Sequence, residues 1–316
     1  MKPSLNILIA GGTGFIGQAL IADRLKRGDK VIVLGRNQSK IQHCFSNRVT
    51  AVKWTDLTKE TLANCDLIIN LAGENIGAKA WTTKRKQAIL ESRVNTTKKL
   101  ANLCATLGKN APTLFNASAI GIYPLQPIDQ PSLNTQLTEN TSLDKLKPSE
   151  FLNKVGIQWE QATNAARTAG IRVVNLRFAI VLSMKGGMLK KLLPFFRLGL
   201  GQKIGSGKQI ISWISLQDLL QIIQFLIEHD KINGPVNIAS PTPIQQQQFA
   251  KLFAQHLHRP CWLSLPTFVI KILFKQMGEE LLLRGQAIYP SVLLNHHYSF
   301  LTPTLTDFLA KENNKL

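Results

Sequence analysis

Acidic residues are scarce in this chain of 316 residues: 19 Asp and Glu stand against 38 Lys and Arg, a formal net charge of +19. Such an excess invites a nucleic-acid reading, but no zinc finger, recognition helix or aromatic-basic module accompanies it. The basic bias is strongest between Met184 and Gln217, where Lys185, Lys190, Lys191, Arg197, Lys203 and Lys208 occur without an acid. This stretch is either a solvated basic face or a field that attracts an anionic ligand. Cysteine is also scarce. Cys44, Cys65, Cys104 and Cys261 include no Cys-x-x-Cys pair, which excludes a disulfide scaffold and suits a reducing cytoplasm. The histidines show no ligand spacing, so no metal site is expected. There is no unbroken apolar run of about 18 residues, so no membrane-spanning helix is expected. The short run Leu5–Ala10 ends in glycines too soon to be the core of a secretion signal.

What is present is an alternation of strand-like and helix-like segments. Apolar runs at Leu5–Ala10, Lys30–Leu34, Asp66–Leu71 and Thr113–Ala117 read as buried strands, with a shorter one at Thr50–Lys53 and another within Ile171–Leu182. Helical patterns fall at Gly14–Lys26, Thr82–Leu107 and Glu150–Ala169. This order predicts an α/β fold, a Rossmann doubly wound parallel sheet. Residues 1–183 would form the dinucleotide-binding domain. A helix near Leu216–Glu228 and a strand near Val236–Ala239 would return to it, as a segment of about 211–239. Residues 184–210, punctuated by glycines, read as loop-rich. Together with 240–316, which look mainly helical, they would form a smaller substrate lobe closing a cleft.

The strongest motif is Gly11-Gly-Thr13-Gly14-Phe15-Ile16-Gly17, between the first strand and the first helix. Gly11 permits the tight turn, Gly14 lets backbone approach a pyrophosphate, and Gly17 lets helix and sheet pack closely. The helix N-terminus then offers unpaired N–H groups and partial positive charge to phosphate. At the end of the second strand, Leu34-Gly35-Arg36-Asn37 lacks the acid that usually accepts from the ribose hydroxyls of NAD. Arg36 can pair with a 2′-phosphate through its planar fork, aided by Ser39 and Lys40, so NADP is preferred to NAD. The plainer alternative is that Arg36 is a surface arginine.

With these residues in view, the chain resembles the extended short-chain dehydrogenases/reductases. Within them it is similar to bacterial epimerase-family proteins of unassigned substrate, described as nucleoside-diphosphate-sugar-epimerase-like or cell-division-inhibitor-like. The further marks are Asn70-Leu-Ala-Gly-Glu-Asn75, Ser92-Arg93, Trp159-Glu160, Pro194–Gly201, Gly205-Ser-Gly207, Ser212-Trp-Ile214, Asp218-Leu219 and a C-terminal segment from Arg259 to Phe308. The resemblance implies that Leu71, Ala72 and Gly73 line the cofactor and that Arg93 faces it. It also implies that Ser118 occupies the active-site Ser/Thr position, although a strand-end serine with a purely structural bond fits the sequence almost as well. Asn95 would match a helix asparagine that holds an active-site water, or else be a surface amide.

One departure is large. Catalytic relatives use Tyr-x-x-x-Lys, in which Lys lowers the phenol pKa for proton transfer. Here Tyr123, Tyr289 and Tyr298 are followed four positions later by Pro127, Leu293 and Thr302, and Lys154 is preceded at that spacing by Glu150. Ser215 also stands where relatives commonly carry His. Tyr123, read as lying in a loop over the cleft, could substitute as the acid beside Ser118. Trp213, Arg177 and Asp218 read as structural, with a buried Arg–Asp pair as the default. Two functions therefore stay open: an NADP-dependent oxidoreductase or epimerase acting on a hydroxyl- or carbonyl-bearing small molecule, or a catalytically silent NADP-binding sensor or scaffold, linked to cell division by the resemblance. Neither nucleic acid nor membrane is expected as a partner, and the sequence is silent on oligomeric state.

Overall fold

Strands buried on both faces need helices on both faces. The computed structural model, which describes residues 4–143 and 150–313, arranges them that way. The sheet strands are β1 (Asn6–Ala10), β2 (Lys30–Gly35), β3 (Thr50–Lys53), β4 (Leu67–Asn70), β5 (Thr113–Ala119), β6 (Val173–Phe178) and β7 (Gly234–Ile238). They form one seven-stranded sheet in the order β7-β6-β5-β4-β1-β2-β3, and every pairing in it is parallel. Strand order reverses between β1 and β4, so a crevice opens beyond their carboxyl ends, where α/β sheets bind ligands.

The period of two along β1 separates the two halves of the core. Ile7 and Ile9 point to one face with Leu20 and Ile21 of α1 (Phe15–Lys26) and Leu219 and Ile222 of α8 (Leu216–Glu228). Leu8 and Ala10 point to the other with Leu100, Ala101 and Cys104 of α4 (Thr83–Leu107). These side chains are almost fully removed from water. They are the main hydrophobic contribution, at about 1.5–3 kcal/mol for each large aliphatic.

Two short helices between strands, α2 (Gln38–Phe45) and α3 (Lys59–Ala63), went unread in the sequence. The helix expected over 150–169 is two, α5 (Phe151–Gln161) and α6 (Asn164–Thr168). Buried Thr163 sits at the break and donates to the Glu160 carbonyl at 2.7 Å, a local bond that competes with helix continuation. Residues 184–210 are less loop-rich than expected. They contain α7 (Gly187–Arg197), with Gly186 at its N-cap and Gly199 in the left-handed region just past its end. The glycines there punctuate helix ends rather than a coil.

The later residues form a third cluster, in which Leu189 and Phe196 of α7 pack on Trp213, on Phe249 and Phe253 of α9 (Gln246–His256), and on Phe308 of α12 (Leu305–Asn313). Between α9 and α12 lie α10 (Thr267–Gly278), broken at Lys275, and α11 (Ser291–Asn295). Asp218 fastens this region to α8. It accepts from the backbone N–H of Leu301 at 2.7 Å and of Thr302 at 3.0 Å, and from the Ser215 hydroxyl at 2.8 Å. The default pairing of Arg177 with Asp218 is not what forms, since Arg177 pairs with Glu160. No helix among the described residues is long and apolar enough to cross a membrane.

Candidate functional site

The glycine loop closes β1 onto α1. Gly11 adopts φ +75°, and a Cβ there would lie 2.6 Å from the Leu71 carbonyl oxygen, so the turn can be made only without a side chain. A Cβ on Gly17 would come within 2.6 Å of the Gly11 oxygen, which is the close helix–loop packing the motif predicts. Gly14 differs: a Cβ there would meet only the Gly11 oxygen, at 3.3 Å, and otherwise project into open space. Gly14 is also the N-cap of α1, with no side-chain cap and no acid in the first turn. The N–H groups and the positive end of the helix therefore stay available to an anion.

That open space is a cavity of about 600 Å³. Its wall includes Gly11, Thr13 and Gly14, Gly35, Arg36 and Asn37 at the end of β2, Lys40 in the first turn of α2, and Leu71, Ala72 and Gly73 after β4. An uncapped helix end, a loop rich in glycine and two cations just past β2 fit a dinucleotide. Phe15, Ile16 and Gly17 lie off this wall. Phe15 packs against the turn before α7, where a Cβ on Gly186 would fall 2.2 Å from its ring. Ile16 packs on the sheet core, and Gly17 is buried against the loop backbone. What these three could offer a ligand is backbone N–H.

Although β2 ends without an acid, one reaches the site from the loop after β4. Glu74 lies 3.3 Å from Arg36 Nη1 and 3.0 Å from Arg85 Nη1. The Arg85 hydrogen bond, then the Arg36 charge, holds the Glu74 carboxyl below the usual range. Arg85 is the better-enclosed partner, at 16% exposure, whereas the Arg36 side chain is 85% exposed and free to turn toward an incoming phosphate. The charged stretch Lys185–Lys208 supplies no residue to this wall.

A second cavity, of about 290 Å³, lies beyond the carboxyl ends of β5 and β6. Arg93 of α4 stands on its wall, and a Cβ on Gly73 of the first cavity would lie 3.2 Å from the Arg93 guanidinium carbon. Arg93 thus marks the border between the two. It donates to the Ile89 carbonyl at 2.9 Å and stacks over Trp159 of α5 at 5.0 Å. Burial, then the neighbouring Arg85 charge, pushes its pKa down to about 10, so it stays cationic near neutrality.

Ser118 and Tyr123 line neither cavity. Ser118 is buried and donates to Glu160 Oε1 at 2.7 Å. Arg177 pairs with the same carboxylate through Nε and Nη2, both at 2.8 Å. It also donates to the Tyr123 hydroxyl at 2.7 Å, which in turn donates to Asn237 at 2.9 Å. Burial, offset in part by Arg177, pushes the Tyr123 pKa up to about 12. This differs from the expected loop over the cleft. The 3-10 turn at Ile120–Ile122 carries Tyr123 inward, onto the cation of β6. The pair is thus a pillar beneath the site, not its exposed chemistry.

Asn95 is on the exposed face of α4. The inward position belongs to Thr97, which the sequence did not single out. Thr97 accepts from Asn70 and Trp159, each at 3.0 Å, and donates to Asn116 at 3.0 Å. Asn70 then accepts from the Ala72 N–H at 3.2 Å, fixing the loop shared by the cavities. A polar Asn closing the otherwise apolar β4 run was the available signal. Among the described residues no cluster of His, Cys, Asp or Glu could hold a metal.

Comparisons with known proteins bear on the same surfaces. The model of the NAD dependent epimerase/dehydratase family matches residues 7–239, and a domain of unknown function, DUF1731, matches residues 265–312. Epimerase family protein YfhF of Bacillus subtilis is 35% identical over 301 residues, covering 94% of each chain. Epimerase family protein Mb2239 of Mycobacterium bovis is 34% identical over 96% of each. Among solved structures, human epimerase family protein SDR39U1 (isoform 2) with NADPH superposes with a TM-score of 0.83 at 29% identity, over 99% of this chain and 100% of that one. A nucleoside-diphosphate sugar epimerase from Corynebacterium glutamicum gives 0.76 at 30% identity, over 98% of this chain and 58% of that one.

Proposed function

Because the chain belongs to the NAD-dependent epimerase/dehydratase family, we propose that it binds NADP in the first cavity and acts as an oxidoreductase or epimerase on a hydroxyl- or carbonyl-bearing small molecule in the second. The observation that carries this reading is the continuity of the first cavity from the bare Gly14 to Arg36, Asn37 and Lys40. A bound dinucleotide supplies hydride transfer, chemistry that belongs to the cofactor. The residues of the chain bind and orient. The α1 N-terminus and Gly14 receive the pyrophosphate, and Arg36 and Lys40 take the 2′-phosphate. Leu71, Ala72 and Gly73 support the middle of the ligand. The human SDR39U1 structure, solved with NADPH, supports the same nucleotide.

Ser118, Glu160, Arg177 and Tyr123 keep the carboxyl ends of β5 and β6 in register beneath the second cavity. Tyr123 is buried, with its pKa pushed up to about 12, and both it and Ser118 lie off the cavity walls, so neither is placed to exchange a proton with a ligand there. The same observation favours the second reading, a silent NADP-binding sensor or scaffold.

The test is thermal unfolding with NADPH, with NADH and with neither. Ligand at about 100 times its dissociation constant stabilises by roughly 2.7 kcal/mol. In a chain of this size that raises the melting temperature by about 5 °C. A shift with NADPH and a smaller one with NADH is expected, and no shift with either removes the reading. Oxidation of NADPH by any carbonyl compound would separate enzyme from sensor.

A further inference from the structure

We infer that the second cavity takes a compact, hydrocarbon-rich carbonyl compound or the corresponding alcohol, held by a polar contact at Arg93, and that it excludes nucleoside-diphosphate sugars. This rests on the proposed dinucleotide-dependent reading, because that reading makes the second cavity the substrate site.

The wall is mostly hydrocarbon. Leu152 and Val155 of α5, Phe178 at the end of β6, Ile180 just past it, and Met188 and Leu192 of α7 are typical of it. Polar side chains are present too, but most of their donors already serve the protein. Glu280 accepts the backbone N–H of Phe151 and of Leu152, each at 3.0 Å, and the Gln276 amide at 2.7 Å, so it caps α5 from outside. Each nitrogen of Arg284 already donates, to Gln126, Glu150 and Leu125. The amide nitrogens of Gln209, Gln246 and Gln286 donate to main-chain carbonyls. The Ser212 hydroxyl donates to the Gln286 carbonyl at 2.7 Å and accepts from Ile288 at 2.9 Å.

Arg93 is the exception. Only its Nη1 makes a hydrogen bond among the described residues. Nε and Nη2 remain as donors at the border with the first cavity. One guanidinium with two nitrogens free to donate can hold one oxygen or one carboxylate.

A nucleoside-diphosphate sugar asks for much more. Its two phosphates bring buried negative charge, which is strongly unfavourable without paired cations. Its sugar hydroxyls each need a partner, and most donors of this wall are already given to the protein. About 290 Å³ is also small for such a molecule and sits at the low end for ligand pockets. A small ketone or aldehyde meets the wall on its own terms, with hydrocarbon against hydrocarbon and its oxygen at Arg93. The wall chemistry therefore separates this chain from the substrate class in the name of its Corynebacterium glutamicum neighbour.

The experiment uses the full-length protein, with and without saturating NADPH. Ligand-observed NMR and calorimetry are run with four probes: cyclohexanone, 2-octanone, 4-phenylbutan-2-one and UDP-glucose. At least one ketone is expected to bind, and UDP-glucose at the same concentration is not. Leu192→Trp, which fills the cavity away from the glycine loop, should weaken ketone binding at least tenfold and leave NADPH affinity within twofold. Arg93→Met should weaken the ketones and spare binding of a matched hydrocarbon, octane for 2-octanone. Binding of UDP-glucose, or binding of none of the ketones, overturns the inference in wild-type protein whether or not the variants fold. If NADPH itself fails to bind, the dinucleotide reading falls separately, while the ketone and UDP-glucose measurements on the protein alone still decide this one.

Discussion

Arg36 and Arg177 show how differently two arginines of one chain can be used. Arg36 is exposed and tethered to Glu74 by one contact at 3.3 Å, so its removal leaves the fold alone. Arg36→Ala should weaken NADPH by about 10- to 100-fold, the scale of one or two charge-assisted hydrogen bonds, and NADH by less than threefold. Equal losses in a titration of both nucleotides would refute the 2′-phosphate assignment. Arg177 is buried, bidentate to Glu160 and bonded to Tyr123. Arg177→Met strands a buried carboxylate, at a cost of about 3–5 kcal/mol. The melting temperature should fall by about 5–10 °C. A drop under 2 °C would mean that the network is not structural. The sequence made Arg36 legible, because its meaning depends on neighbours in the chain. It hid the partner of Arg177, because Glu160 arrives from another element and any nearby acid would have served.

At the scale of elements, the strand–turn–helix at Gly11–Gly17 was readable because each glycine answers a local steric demand. The structure refines which demand. Gly17 is enclosed by backbone, whereas Gly14 is not. Gly14→Val should therefore fold with a melting temperature within about 3 °C of wild type and lose dinucleotide binding. Gly17→Val should fail to give soluble folded protein, since a Cβ 2.6 Å from a carbonyl oxygen has nowhere to go. Circular dichroism and calorimetry on both variants check the contrast, and retained NADPH binding by Gly14→Val would remove the loop from the site. Elements that packing defines were harder to read. Helix α3 has five residues and too little periodicity to register, and α7 was masked by the glycines that cap it. The break between α5 and α6 depends on one threonine side chain turning back on the helix.

For the whole molecule, the formal excess is +19, and among the described residues the only cations on the cavity walls are Arg36, Lys40, Arg93 and Arg284. Its effect on an anionic ligand is a general field, screened beyond about 8 Å at physiological salt. Global stability carries a clearer signature at the alkaline end. Burial pushes the Cys65 thiol up to about 11 and, as its largest cause, Cys104 and Tyr123 each to about 12. The unfolded chain releases these protons first, starting near pH 9 for the thiols and pH 10 for the phenol. The stabilisation is therefore complete below about pH 9 and is lost as pH rises toward 12. Urea midpoints measured from pH 8 to 11 should fall with pH, and fall less steeply in a Cys65→Ala, Cys104→Ala double variant. A flat profile would contradict the burial of these groups. The doubly wound sheet followed from composition and order alone. The two-cavity arrangement did not, because its walls draw on segments as distant as Arg93 and Arg284.

The contact between Phe15 and the turn at Gly186 ties two parts of the chain that translation makes far apart. The ring occupies the place that a side chain at 186 would need. Residues 15 and 186 therefore hold one allotment of volume between them, and the two positions can drift only as a pair. A methyl group gained at 186 calls for atoms given up at 15, the first residue of α1.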